Sequence, residues 1–197
     1  MDNSEFLVLI DNGHGKETLG KSSVDRSLLE FKWTREIADL IINKLKSLNI
    51  KVIKLVPEES DISLKERVLR ANNYHKQNKK TILISLHCNA AGNGLNWTNA
   101  KGWTVWVAPN ASANSKKLAR LLYEEAEKRN LQGNRWVPNE KYNVKSLAMC
   151  RDTNCPAVLT ENLFMDNKED VEFLLSETGK SAIVDLHVDA ILKYIQG

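Results

Sequence analysis

Short apolar runs alternate along the chain with longer stretches in which apolar residues recur every three or four positions. Phe6 to Asp11 reads Phe-Leu-Val-Leu-Ile-Asp and runs into Asn-Gly-His-Gly, the pattern of a buried strand followed by a turn. Trp33, Ile37, Ile41, Leu45 and Leu48 fall on one stripe, so Leu29 to Leu48 is predicted to be an amphipathic helix. Lys51 to Val56 reads as a second strand, stopped by Pro57. Ser63-Leu-Lys-Glu66 is a capping box, which predicts a helix running to about Gln77. Thr81 to His87 is almost continuously apolar, as expected of a parallel strand covered on both faces.

The second half continues the alternation. A Gly- and Asn-rich loop from Cys88 to Lys101 precedes a strand over Trp103–Ala108 and a helix over Ser115–Arg129. Asn130 to Val144 is a loop long enough to suspect a function. Ser146–Cys150 and Ala157–Thr160 read as two more strands, and helices are expected over 167–176 and 180–195. This order predicts a single α/β domain over residues 1–197, with a mostly parallel twisted sheet of about six strands and helices on both faces. No repeat, linker or second domain is visible.

Composition narrows the class. With 197 residues, 42% hydrophobic and 27% charged, the chain is neither disordered nor low-complexity. The net charge of +3 is spread among acidic residues, without the basic stripe of an obligate nucleic-acid binder. Cys88, Cys150 and Cys155 match no zinc or redox spacing and read as reduced, buried thiols. The start Met-Asp-Asn-Ser-Glu lacks the basic and apolar regions of a secretory signal, and no run approaches the ~18 apolar residues of a membrane span. The expectation is synthesis in the cytoplasm and no membrane partner.

In open α/β sheets ligands bind beyond the carboxyl ends of the strands. His14 follows the first strand, His87 closes the strand from Thr81, Glu161 follows Pro-Ala-Val-Leu-Thr, and Glu30 lies in the first turn of the helix entered after His14. Two histidines and a carboxylate make the protein half of a catalytic zinc site, and a further carboxylate serves as general base. That reading takes His14, Glu30 and His87 as ligands and Glu161 as base, then acid. The spacing lacks the specificity of a compact H-E-x-x-H motif, and a lone histidine after a strand is often a satisfied loop residue, though the glycines on either side of His14 point to close backbone approach.

Other candidates read more plainly. His75 belongs to a helix surface and His187 to the edge of the core. Cys88 points away from His87 by strand alternation. Glu58, Glu59 and the cluster from Glu124 to Glu127 read as solvated charge. Trp97, Trp103, Trp106 and Trp136 divide between packing and stacking on a ligand, two of them lying in loops at the expected rim.

The same residues, in this order, resemble the zinc-dependent N-acetylmuramoyl-L-alanine amidases of the Amidase_3 type, the AmiC-like and LytC-like catalytic domain. The resemblance runs from Leu7 to about Tyr194. Asp11-Asn12-Gly13-His14-Gly15 matches the family's opening motif, and Glu30 precedes Ile37-Ala38 as its ligand glutamate does. Leu64, Arg67, Ala71 and Asn72 match the next motif, followed by Ser85-Leu86-His87-Cys88-Asn89. Pro156-Ala157-Val158-Leu159-Thr160-Glu161, with Asn167 downstream, completes the set. Lys16 and Cys88 depart from the residues usual at their positions, and neither is a ligand.

The resemblance implies zinc on His14, Glu30 and His87, and Glu161 as catalytic acid/base. It implies peptidoglycan as substrate, cut by direct hydrolysis between N-acetylmuramic acid and L-alanine. Support for a ligand histidine from Asp11 or a backbone carbonyl is expected with it. A domain of this kind, with no wall-binding repeat and no long helical insertion at the rim, resembles a phage or prophage endolysin, or a domain cut from a larger secreted enzyme. Rival readings are a non-catalytic wall-binding module and a zinc peptidase cutting within the stem peptide.

Overall fold

The computed structural model describes residues 5–197. The first four residues, most of the acidic start read as lacking a secretory signal, lie outside them. Among the described residues no helix is long and apolar enough to cross a membrane.

Six strands form one sheet in the order β2-β1-β3-β6-β4-β5. These are β1 (Leu7–Asn12), β2 (Lys51–Lys54), β3 (Thr81–Asn89), β4 (Thr104–Val107), β5 (Asn143–Val144) and β6 (Ala157–Phe164). The strands from β2 to β6 in that order are parallel, and β4 joins β6 antiparallel, with β5 parallel to β4. The expected α/β class with a mostly parallel six-stranded sheet is what the chain adopts.

Alternation along the strands divides the core. Val8, Ile10, Ile82, Ile84 and Val158 pack with α1 (Glu30–Ser47), α3 (Ala113–Lys128) and α6 (Glu177–Gln196). Leu7, Leu9, Leu83 and Ala157 face the other way, against α2 (Leu64–Gln77) and α4 (Ala148–Arg151). Helices therefore cover both faces, and α5 (Lys168–Leu175) adds Val171 and Leu174 to the larger core. The α1 stripe of Trp33, Ile37, Ile41 and Leu45 is buried as its periodicity requires, whereas Leu48, read as its last member, caps the helix and is exposed. Ser63 accepts from the Glu66 amide at 3.3 Å and starts α2, as the capping box predicts.

Several readings are corrected. Ser146–Cys150 is not a strand: the edge of β4 is taken by Asn143–Val144, and the chain then winds into the single turn of α4. A short apolar run cannot be distinguished from a buried helical turn by period, and Ala and Met favour the helix. Within the supposed solvated cluster, Glu125 is buried and takes Lys128, Arg129 and Lys193 as partners. His187 sits fully inside the core rather than at its edge. Its Nδ1–H donates to the Ile183 carbonyl at 2.8 Å, which leaves Nε2 to accept from the Thr160 hydroxyl at 3.2 Å. The three cysteines are free and buried, as expected.

Candidate metal centre

The carboxyl ends of β1, β3 and β6 lie side by side, and the rim residues gather there, His14 and His87 beside the start of α2 and Glu30 at the start of α1. His14 lies two residues beyond β1, and His87 and Glu161 stand opposite each other on β3 and β6. Glu30 is the first residue of α1, fixed by donation from its amide to the Lys21 carbonyl at 3.0 Å. His14, Glu30 and His87 each present a ligand atom within 4.8 Å of the others.

Glu30 is the buried centre of this group, at 1% exposure. Its Oε1 accepts from the Cys88 amide at 2.9 Å and faces His87 Nδ1 at 3.1 Å and His14 Nε2 at 3.4 Å. Its Oε2 is shut off from solvent without a partner. Burial alone would raise the Glu30 carboxyl, but the two imidazoles overrule it and hold the group well below its usual range. Burial opposes charge on His87 too, yet the Glu30 carboxylate pushes that imidazole up. The two rings meet edge to face, with centroids 4.8 Å apart.

The spacing and the donor set suit a small dication. Atoms tetrahedrally disposed at zinc–ligand distances of about 2.1 Å lie about 3.4 Å from one another. Two of the observed ligand–ligand separations, 3.1 and 3.4 Å, match that edge. The unpartnered Glu30 Oε2 further indicates a positive group missing from the carboxylate's surroundings.

Local sequence explains why the loop can reach this position. His14 itself takes the left-handed conformation, with φ +61°. A Cβ on Gly13 would lie 2.4 Å from His87 Cε1, so only glycine lets the imidazole pass. A Cβ on Gly15 would strike the Asp61 backbone at 2.2 Å, so the loop is equally tight on its other side.

Glu161 is half-buried within β6, which runs on to Phe164 rather than ending at Thr160. Its Oε2 is enclosed and unpartnered, and burial, eased by His87, pushes the carboxyl up to about 7. Just beyond, the β3–β6 register shifts between His87 and Asn89, and Leu163 has φ +62°. Bulges of this kind re-aim side chains beside functional sites.

Three supporting residues escaped the sequence reading. Asn162 Nδ2 donates to the His87 carbonyl at 2.9 Å, and its Oδ1 accepts from Trp103 Nε1 at 2.7 Å. Arg35 and Arg67 both donate to the His14 carbonyl. Arg67 belonged to one of the matching motifs but carried no role, and Arg35 had no signal beyond its place five residues after Glu30 in α1. The expected support from Asp11 is corrected: its carboxylate binds Arg67 at 2.9 Å and the Ser85 hydroxyl instead of a histidine ring.

The remaining candidates stay outside the cluster. His75 is half-buried at the end of α2, and Cys88 contributes its amide to Glu30 while its thiol is buried in the core. Trp103 is wholly buried, Trp106 half-buried, and Trp97 and Trp136 are exposed.

A family profile described as Amidase_3, N-acetylmuramoyl-L-alanine amidase, matches residues 8–193. The endolysin of Bacillus phage SPP1 is 26% identical over 201 residues, covering 96% of this chain and 66% of that protein. The N-acetylmuramoyl-L-alanine amidase CwlM of Bacillus licheniformis is 24% identical over 188 residues, covering 94% and 67%. The chain spans 57–67% of the length of these relatives and of the probable cell wall amidase LytH of Staphylococcus aureus. The N-acetylmuramoyl-L-alanine amidase from Clostridium difficile 630 superposes with TM-score 0.84 at 26% identity, covering 100% of this chain and 99% of that one. The catalytic domain of CwlV from Bacillus (Paenibacillus) polymyxa var. colistinus shares the fold, with TM-score 0.81 at 22% identity over 97% and 98% of the two chains.

Proposed function

From the premise that the chain belongs to the N-acetylmuramoyl-L-alanine amidase family Amidase_3, we propose that it is a zinc-dependent peptidoglycan amidase. Residues 1–197 act as one catalytic domain on the cell wall, cutting the amide between N-acetylmuramic acid and L-alanine. His14, Glu30 and His87 hold the ion, and Glu161 is the general base and then acid. The observation that carries this reading is the meeting of two imidazoles on one buried carboxylate, with a second carboxylate directly opposite His87. The named amidases and the endolysin among its relatives support the substrate.

When bound, zinc supplies Lewis acidity that polarises the scissile carbonyl and makes water nucleophilic at neutral pH. The chain's own residues do the rest. Glu161 takes one proton as water attacks the carbonyl carbon and a C–O bond forms. It then delivers that proton to the alanine nitrogen as the C–N bond breaks, because an amide anion is a very poor leaving group. A carboxyl raised to about 7 by burial suits both halves of this exchange. Glu30, kept ionised by the two imidazoles, supplies the negative charge that favours a cation.

Digestion of purified sacculi, with metal content measured on the same preparation, tests the proposal. Intact stem peptides and peptide-free glycan are expected in the product masses. Cleavage between stem residues would establish a peptidase instead, and unaltered sacculi from zinc-loaded protein would leave a binding module.

A further inference from the structure

His14 stands on a joint between three elements. Its carbonyl accepts from Arg35 Nη1 and Nη2, each at 3.1 Å, and from Arg67 Nη2 at 3.0 Å. Arg35 comes from α1, the helix that begins with Glu30, and Arg67 comes from α2. Both arginines are themselves anchored. Arg35 donates to the Phe31 carbonyl at 2.9 Å and to the Glu58 carbonyl at 2.7 Å. Arg67 donates to Asp11 Oδ1 at 2.9 Å, the Asn12 carbonyl at 2.7 Å and the Ile62 carbonyl at 2.8 Å.

This convergence answers a local difficulty. A residue with a Cβ disfavours φ near +60°, and such a conformation persists only when its surroundings over-determine it. One carbonyl oxygen with three guanidinium N–H donors is such a restraint, and charged donors make the stronger hydrogen bonds. Gly13 and Gly15 remove steric barriers on either side but donate nothing to the His14 oxygen. Because Arg35 and Glu30 share a helix, the same contacts register one predicted ligand against another. Arg67 ties the joint to β1 through a buried ion pair with Asp11.

We propose that Arg35 and Arg67 are positioning residues that grip the main-chain oxygen of His14 and so hold its imidazole toward Glu30 and His87. The inference rests on the zinc reading for its consequence but on backbone geometry for its mechanism. Neither arginine belongs to the group of possible ligands, and both act on the main chain of His14. Their contribution is to preorganise a ligand that the bare chain would leave in another conformation.

The test uses Arg35→Lys and Arg67→Lys, which keep a cation and remove the planar fork. Arg35→Lys is the safeguard, since Arg67 also neutralises Asp11 and its replacement threatens folding. Zinc affinity is measured by chelator competition on folded protein, and histidine ring signals are recorded by NMR on metal-free protein. Zinc affinity is expected to fall about 10- to 100-fold, the range typical of lost ligand support. The His14 ring signals should move toward those of a free histidine, while those of His187 stay fixed. A folded variant with unchanged zinc affinity and unchanged His14 signals overturns the inference, whatever its thermal stability. If the unmodified protein takes up no zinc, the metal reading fails separately, and the His14 ring signals still decide the positioning role.

Discussion

His87 and Glu161 are register partners on neighbouring parallel strands, so their side chains leave the same face of the sheet at the same height. A proposed ligand and a proposed proton carrier are thus spaced by the strand separation rather than by a loop. On its other side Glu161 pairs with Thr104 of antiparallel β4, so the carboxylate is bracketed by two strands. Rigid placement of this kind keeps a catalytic group near its working geometry without conformational search.

Glu161→Gln keeps the shape and removes the proposed proton carrier. Hydrolysis should fall by about 10²- to 10⁴-fold, the usual contribution of a positioned acid/base. Zinc content should remain that of the unmodified protein, because Glu161 lies outside the ligand cluster. Elemental analysis beside a muropeptide release assay checks both halves. Full activity in this variant would remove Glu161 from the mechanism.

Replacing His87 with Ala removes a proposed ligand together with one of the imidazoles that keep Glu30 ionised. Zinc should be lost on purification and hydrolysis with it, while the far-UV spectrum is unchanged. Stoichiometric zinc in His87→Ala would show that the ion lies elsewhere.

Gly13→Ala probes the same ring without deleting it. The added methyl would overlap the imidazole, with Cε1 at 2.4 Å, Nδ1 at 2.6 Å and Nε2 at 2.8 Å. The backbone at Gly13 is not left-handed, so alanine is opposed by His87 and not by its own conformation. Weakened zinc binding in a folded protein is the expected result, read by chelator competition. Unaltered affinity would mean that the ring can shift without loss.

How far this was legible in the sequence depends on the kind of signal. The α1 stripe and the Ser63 cap are local patterns, and both elements formed where they were read. The cluster of His14, Glu30 and His87 could be guessed because each residue sits at a strand end or a helix start, which a parallel sheet brings to one rim. The supports could not be guessed. Arg35, Arg67 and Asn162 act on the carbonyl oxygens of His14 and His87, and main-chain acceptors leave no trace in side-chain spacing. Glu125 was misread for a related reason: its partner Lys193 arrives from α6, beside Arg129 at the end of its own helix, and composition does not reveal that contact. The turn at Ala148 was decided by which residues reached the β4 edge first, a tertiary outcome.

Glu125→Ala separates stability from chemistry. The buried carboxylate gathers Lys128, Arg129 and Lys193 between α3 and α6, far from the rim. Its loss strips Lys128 and Lys193 of this carboxylate and leaves Arg129 with Asp189 alone, with an expected destabilisation of about 1–3 kcal/mol. Thermal unfolding should move down by several degrees while hydrolysis per folded molecule is unchanged. A fall in turnover without a fall in stability would link this cluster to the site.

The pH dependence of stability in metal-free protein offers a sharper check, because half-buried Glu161 and buried His187 pull in opposite directions. Burial raises Glu161 from 4.5 to about 7, so between those values the folded state holds a proton that the unfolded chain has released. Stability from this group is complete below pH 4.5 and is lost as pH rises to about 7. Burial lowers His187 from 6.5 to about 4, so there the unfolded chain holds the extra proton. Stability from His187 is complete above pH 6.5 and is lost as pH falls toward 4. Each shift corresponds to roughly 3 kcal/mol across its window. Their slopes largely cancel between pH 4.5 and 6.5. Glu161→Gln removes one of them. The variant should therefore gain stability over the unmodified protein as pH rises from 4.5 to 7, by about 3 kcal/mol at the upper end. Denaturant titrations at several pH values, taken as a difference between the two proteins, cancel the groups that do not interact with Glu161 and leave its own titration with that of its neighbours His87 and Glu30. Parallel curves across that window would show that Glu161 is not held in the low-dielectric position its enclosed oxygen implies.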